Sequence, residues 1–225
     1  MVSGAEQYFC AMENAMKYTE QMWKQLTAFS KKEAIKAALW NDILDHYTEP
    51  YRFYHNIQHV AELFSWSERY LPQIEQPAVL GFAILYHDVV YDTFKDNNEE
   101  ESAKLAREHL TTLLVKPAII DKVETFILAT KNHTLNTNNG EAKDLALFLD
   151  FDVAILGAEW DVYEEYSQKI RKEYRQYPDA VYNPGRKHAL EKLMDNDQLY
   201  YTPEMDELLG QKARNNMFRE VQLLS

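Results

Sequence analysis

Three groups of side chains in this sequence have types and spacings that could do chemistry. In YHNIQHVAEL (54–63), His55 and His59 stand four positions apart. On a helix that is about 40° of rotation, so both lie on one face. In AVLGFAILYHDVVYD (78–92), nine apolar or small residues lead directly into His87 and Asp88. In LALFLDFDVAIL (145–156), Asp150 and Asp152 interrupt an otherwise apolar run. The last two segments read as helices that are hydrophobic nearly all round, hence buried. A buried ionised carboxylate is costly unless it is paired or bound to a metal. Neither segment carries a Lys or Arg to pair with its acids. A cation between them is the alternative. Two or three His with one or two Asp make a mixed nitrogen and oxygen donor set. It suits Mn, Fe, Co, Ni or Zn, leaves Mg open, and does not fix whether one or two ions are held.

Each group also has an ordinary reading. His46, His109 and His188 are read as surface or satisfied core histidines. His87 and Asp88 could be neighbours by chance. They differ by about 100° around a helix and reach a common point only at a helix end or bend. One of Asp150 and Asp152 could cap a helix or pair with a distant Arg. Two residues along a helix face nearly opposite ways, so only one of the two should face a metal.

The elements that must position these groups are helical. Apolar residues recur at three and four, and period-two alternation is rare. The pattern predicts helices over 5–28, 31–46, 55–70, 76–91, 98–114, 117–131, 142–156, 160–176, 185–196 and 203–222. NTNNGE (136–141) and YPDAVYNPGR (177–186) are the clearest loops. The last helix is expected to start with Thr202 as N-cap and Pro203 at its first position. The expected architecture is all-α, a compact irregular helical bundle forming a single domain over 1–225, since no linker or repeat is visible.

Bulk composition narrows the function classes. A chain of 225 residues can bury a core without disulfides. Its one cysteine, Cys10, makes no internal disulfide, and a reducing compartment is expected. The first residues show no basic-then-apolar signal, and the longest apolar stretch is far short of the ~20 residues that span a bilayer. A cytoplasmic protein with no membrane association follows as the expectation. A net charge of −12 argues against nucleic acid as a bulk partner. A small anionic substrate then needs a local cation, which a metal supplies.

A His, then an adjacent His-Asp, then a later Asp, all on helices, resembles the HD superfamily of metal-dependent phosphohydrolases. YHNIQH followed by Val-Ala is similar to the Tyr-His-Asn-x-x-His-Ala segment of cyclic nucleotide phosphodiesterases, which belong to that superfamily. HDVVYD…DNNEEESA and FLDFDVAILG…IRKEY…GR look like a smaller group of HD phosphohydrolases defined by prediction. The matches cover about residues 40–200. The resemblance implies an HD-type fold, with His59, His87, Asp88 and Asp152 as metal ligands and Asp150 as the competing last ligand. It implies that His55 protonates the leaving oxygen. Asp88, while ligating, is also the candidate general base that holds the attacking water. Lys131, His133, Arg171 and Arg186 are the candidates for the substrate's phosphoryl oxygens, Lys131 also assisting catalysis. Glu99 is a candidate for a second ion or a water-mediated contact. The sequence departs from the phosphodiesterases after His-Asp, where Tyr91 and Asp92 replace a further His and Pro-Gly. Cyclic nucleotides are therefore not favoured.

The expected activity is hydrolysis of a small phosphorylated molecule, a nucleotide or related phosphomonoester, by a monomer or homodimer. Two rivals remain. One is an HD-type di-iron oxygenase, which needs Glu99 and His133 as further ligands. The other is a non-catalytic nucleotide-binding helical module.

Overall fold

The structure is a computed structural model that describes residues 4–135, 142–195 and 198–224. Every regular element among the described residues is helical, and the all-α expectation holds. None of these helices is long and apolar enough to cross a membrane. The predicted loop 136–141 lies outside the described residues. Contacts divide the chain into two compact units, Met1–Phe148 and Leu149–Ser225, where the sequence shows no boundary.

The first unit holds α1 (Gly4–Leu26), α2 (Glu33–Tyr47), α3 (Ile57–Arg69), α4 (Pro77–Tyr86), α5 (Asn98–Thr112) and α6 (Pro117–Thr130). It also holds the first turns of α7 (Ala142–Asp152). Helix α4 is its centre, packed on α1, α3, α5 and α6, with every residue from Val79 to Tyr86 buried. An all-round apolar sequence demands such burial. Pro77 opens α4 at its first turn, where a missing N–H costs nothing. The buried Asp144 carboxylate on α7 accepts the N–H groups of Glu75 (2.9 Å) and Gln76 (2.6 Å) just ahead of it. The positive end of the α4 dipole stabilises that buried charge.

Helix α4 ends at Tyr86, not at the expected 91. The chain from 87 to 91 turns because other elements take its backbone groups. Arg52 binds the carbonyls of Asp88 and Val89, and Ser102 Oγ bonds both the N–H and the carbonyl of Val90.

The second unit begins with the last turn of α7 and a 3-10 turn (Ala154–Gly157). Then follow α8 (Trp160–Glu173), α9 (Asp179–Met194), α10 (Pro203–Met205), a π turn (Asp206–Gly210) and α11 (Gln211–Leu223). The expected helix 185–196 begins six residues earlier, inside the predicted loop 177–186, and carries Pro184 within it. A proline in the second turn removes one bond, to the carbonyl four residues back. The expected single helix 203–222 is interrupted by the π turn. Asn216 Nδ2 on α11 bonds the carbonyls of Leu156 and Ala158, tying that helix to the 3-10 turn.

Candidate metal centre

The first histidine pair is not on one helix. Asn56 is the N-cap of α3, extended at φ −122° and ψ −174°, and its side chain accepts the Gln58 N–H at 2.8 Å. A side chain that satisfies an orphan donor at a helix start is what asparagine does well. It sets the start of α3 at Ile57, so His55 stands in the preceding turn and only His59 is helical. The expected start at 55 is corrected accordingly. The two rings remain neighbours, with centroids 5.9 Å apart and edge-on.

His87 follows directly on the last residue of α4, in the turn that adjacent ligands require. Its Nδ1 lies 3.0 Å from the Ile84 carbonyl oxygen. A carbonyl only accepts, so Nδ1 donates to it, and whenever the ring is neutral Nε2 carries the lone pair. Nε2 stands 3.2 Å from Nε2 of His59 and 3.2 Å from Oδ2 of Asp88. His59 Nε2 is 3.8 Å from the same carboxylate oxygen. Both histidines are buried, and the Asp88 side chain is 20% exposed. Three basic atoms thus meet at one point within the first unit. Two imidazole nitrogens each ~2.0–2.1 Å from one cation are roughly 2.9–3.4 Å apart, from right-angle to tetrahedral geometry. The residues present fit a transition-metal ion. Fixing a ligand histidine's other nitrogen on a backbone carbonyl is the usual second layer of such a site.

The surroundings are tightly held. His55 stacks on Tyr91 with centroids 4.3 Å apart, and Tyr54 lies against His59 at 4.9 Å. Tyr91 is fixed from both sides. Ser102 holds Val90, and the Asn98 side chain bonds both the N–H and the carbonyl of Asp92 at 3.0 Å. Both Asn98 and Ser102 belong to α5, so part of the DNNEEESA segment clasps the turn. Glu99, half-buried in the first turn of α5, has its carboxyl raised above the usual range, chiefly by burial. Backbone hydrogen bonding opposes that shift, Asp88 adds to it, and Lys131 opposes it.

Lys131 at the end of α6 donates to Glu100 (2.5 Å) and to the Asp96 carbonyl (2.6 Å). His133, half-buried, takes a left-handed backbone at φ 46°. In the second unit, Arg171 is paired with Asp179 and bonded to the carbonyls of Tyr174 and Tyr177. Arg186 makes two bonds to the buried Glu220, at 2.8 and 3.1 Å, and lies over the Tyr166 ring. Both guanidinium groups therefore have structural partners.

Asp150 and Asp152 of α7 differ sharply. Asp150 is buried and accepts the N–H of Tyr201 (2.6 Å), the N–H of Thr202 (2.8 Å) and the Thr202 hydroxyl (2.6 Å). Burial pushes its carboxyl up to about 6. Thr202 does occupy the N-cap position before Pro203, but its side chain makes no cap bond to α10. Its hydroxyl goes to Asp150 instead. Asp152 is the last residue of α7 and half-buried, one helical turn beyond Phe148.

Sequence reasoning missed Arg52. The signal was present: a lone cation in an aromatic stretch, three residues before His55.

No family model, curated protein or solved structure matches the chain.

Proposed function

We propose that the chain is a metal-dependent phosphohydrolase acting on a small phosphorylated molecule, a nucleotide or related phosphomonoester. The observation that carries this reading is the meeting of His59 Nε2, His87 Nε2 and Asp88 Oδ2. Two imidazole nitrogens and a carboxylate meeting in a buried setting need a cation or a proton among them, and this mixed donor set suits a metal ion. His59, His87 and Asp152 also make up a group able to hold a metal ion. Asp152 is the proposed fourth ligand. It follows Phe148 by one turn on α7, and the Phe148 ring packs edge-on against His87 at 5.8 Å. Asp150 is the weaker choice, because three donors already bind it.

A divalent ion held there would supply an acidified water and Lewis-acid charge for the phosphoryl oxygens. Asp88, a ligand with an exposed edge, accepts the proton of the attacking water. His55, braced on Tyr91, donates a proton to the leaving oxygen. Lys131 offers charge to the phosphoryl group, since its solvent-screened pairing with Glu100 is weak and easily exchanged. The order of His59, His87-Asp88 and Asp152 resembles that of the HD superfamily, and the resemblance supports the same chemistry.

The test is phosphate release from a panel of nucleotides and phosphomonoesters with Mn²⁺, Co²⁺, Mg²⁺ or EDTA, beside Asp88→Ala. Metal-dependent turnover absent from the variant is expected. Silence across the panel with metal bound would shift the weight to an oxygenase or a binding module.

A further inference from the structure

The Arg52 side chain is completely buried, and its donors are aimed at the candidate site from behind. One nitrogen, Nη1, bonds two carbonyl oxygens: His55 at 3.1 Å and Asp88 at 2.6 Å. Nη2 bonds the Val89 carbonyl at 2.8 Å. Nε bonds Glu49 Oε2 at 2.8 Å, which fixes the plane of the fork. The guanidinium lies 5.3 Å from the Tyr47 ring centroid and 5.5 Å from that of Tyr91, the ring on which His55 stacks. Tyr47 itself bonds the Leu85 carbonyl at 3.1 Å.

We infer that Arg52 is a positioning residue that sets His55 and Asp88 relative to one another. It rests on the reading of His59, His87 and Asp88 as metal ligands. The two residues sit 33 positions apart in sequence, on separate turns. One planar group bridges them. The carbonyls past the end of a helix have no intrahelical donor, and a buried cation there satisfies them and suits the negative end of the dipole. Lysine cannot replace the fork, because one ammonium cannot reach both turns with fixed geometry. The role is indirect: Arg52 touches backbone oxygens of the working residues, not their side chains.

The experiment titrates the full chain with Co²⁺, following affinity and the visible Co²⁺ bands, well below the melting temperature. The proteins are wild type, His87→Ala, Arg52→Lys and Glu49→Gln. Expected is a loss of about ten- to a hundredfold in affinity for Arg52→Lys, with altered bands, as outer partners of ligands cause. Arg52→Ala should regain part of the affinity with added methylguanidinium, which a general loss of folding would not. Wild-type affinity and bands in folded Arg52→Lys overturn the proposal and leave the ligand reading standing. Equal Co²⁺ binding by wild type and His87→Ala overturns the ligand reading, and the proposal falls with it. If both Arg52 variants fail to fold, Glu49→Gln decides. Weakened binding supports the role, and unchanged binding and bands overturn it.

Discussion

His59 Nε2 and His87 Nε2 stand 3.2 Å apart, and the Ile84 carbonyl engages the other nitrogen of His87. The pair is arranged for a shared cation or a shared proton. Asp88 Oδ2, 3.2 Å from His87 Nε2, adds a third ligand atom at the same point, a set that suits a metal ion. The first prediction follows. Purified protein carries or takes up a transition-metal ion, and His59→Ala and His87→Ala do not, as elemental analysis would read. Chelation lowers the melting temperature of wild type alone. Binding at a hundredfold excess over Kd stabilises by about 2.7 kcal/mol, and that amount is lost with the ion.

The aspartates of α7 separate structure from chemistry. Asp144 and Asp150 act as remote helix caps, the first ahead of α4 and the second ahead of α10. Removing either leaves buried donors without acceptors, at a cost of about 1–3 kcal/mol each. Asp144→Ala and Asp150→Ala should therefore melt earlier yet keep wild-type metal content. Asp152→Asn should do the reverse, losing metal with little change in the metal-free melting curve. Metal retained in Asp152→Asn and lost in Asp150→Asn would exchange their roles.

His55 offers a prediction that metal content cannot mimic. Its ring is braced on Tyr91 and is not among the three converging atoms. His55→Gln should keep the metal and lose about 10²–10⁴ in kcat, with the alkaline limb of the pH profile gone. Substrates with acidic leaving groups, which need no proton, should be spared. A uniform loss across leaving groups would assign the proton to another residue.

Much of this was legible from residue types, and the failures have identifiable causes. The all-round apolar run before His87 announced a buried helix, and α4 is one. The conflict between acids and apolar surroundings at 145–156 was real, but it had two answers. Asp150 resolves it by accepting backbone N–H groups from residues 51 and 52 positions away, which no local pattern reveals. The four-residue spacing of His55 and His59 suggests one helix, but Asn56 caps α3 between them and breaks that register. The turn at 87–91 depends on Arg52 and Ser102, donors from elements distant in sequence. Pro184 and Gly185 read as loop residues. Helix α9 tolerates them in its second turn, because tertiary packing outweighs local propensity.

His109 gives the protein a measurable acid limb. It is buried on α5, with Nδ1 3.2 Å from the Tyr86 hydroxyl and Nε2 3.3 Å from Asp42 Oδ2. Burial lowers its affinity for a proton, against the pull of Asp42 and Glu108 and with the push of His46. The unfolded chain, with an ordinary histidine near 6.5, then binds a proton at a higher pH than the folded one. Its contribution to stability is complete above about 6.5 and is lost as pH falls through the lower folded value. Chemical denaturation of wild type and His109→Gln between pH 8 and 5 checks this. The difference between the two should shrink on acidification, and a constant difference would show that His109 titrates alike in both states.

Gly157 and Gly81 make a paired test of packing. A Cβ on Gly157 would stand 2.5 Å from Leu209 Cβ and 2.9 Å from the Leu209 carbonyl oxygen. Backbone and Cβ atoms cannot step aside, so the 3-10 turn would have to part from the π turn. Gly157→Ala should cost about 1–3 kcal/mol. On Gly81 the nearest atom is Leu26 Cδ2 at 2.8 Å, the far end of a side chain that can rotate. The added methyl on α4 also replaces a mid-helix glycine, which favours alanine by about 1 kcal/mol. Gly81→Ala should be near neutral. Denaturant titration of the two variants checks the order, and a larger loss at Gly81 than at Gly157 would mean that α1 holds Leu26 more rigidly than its side-chain freedom implies.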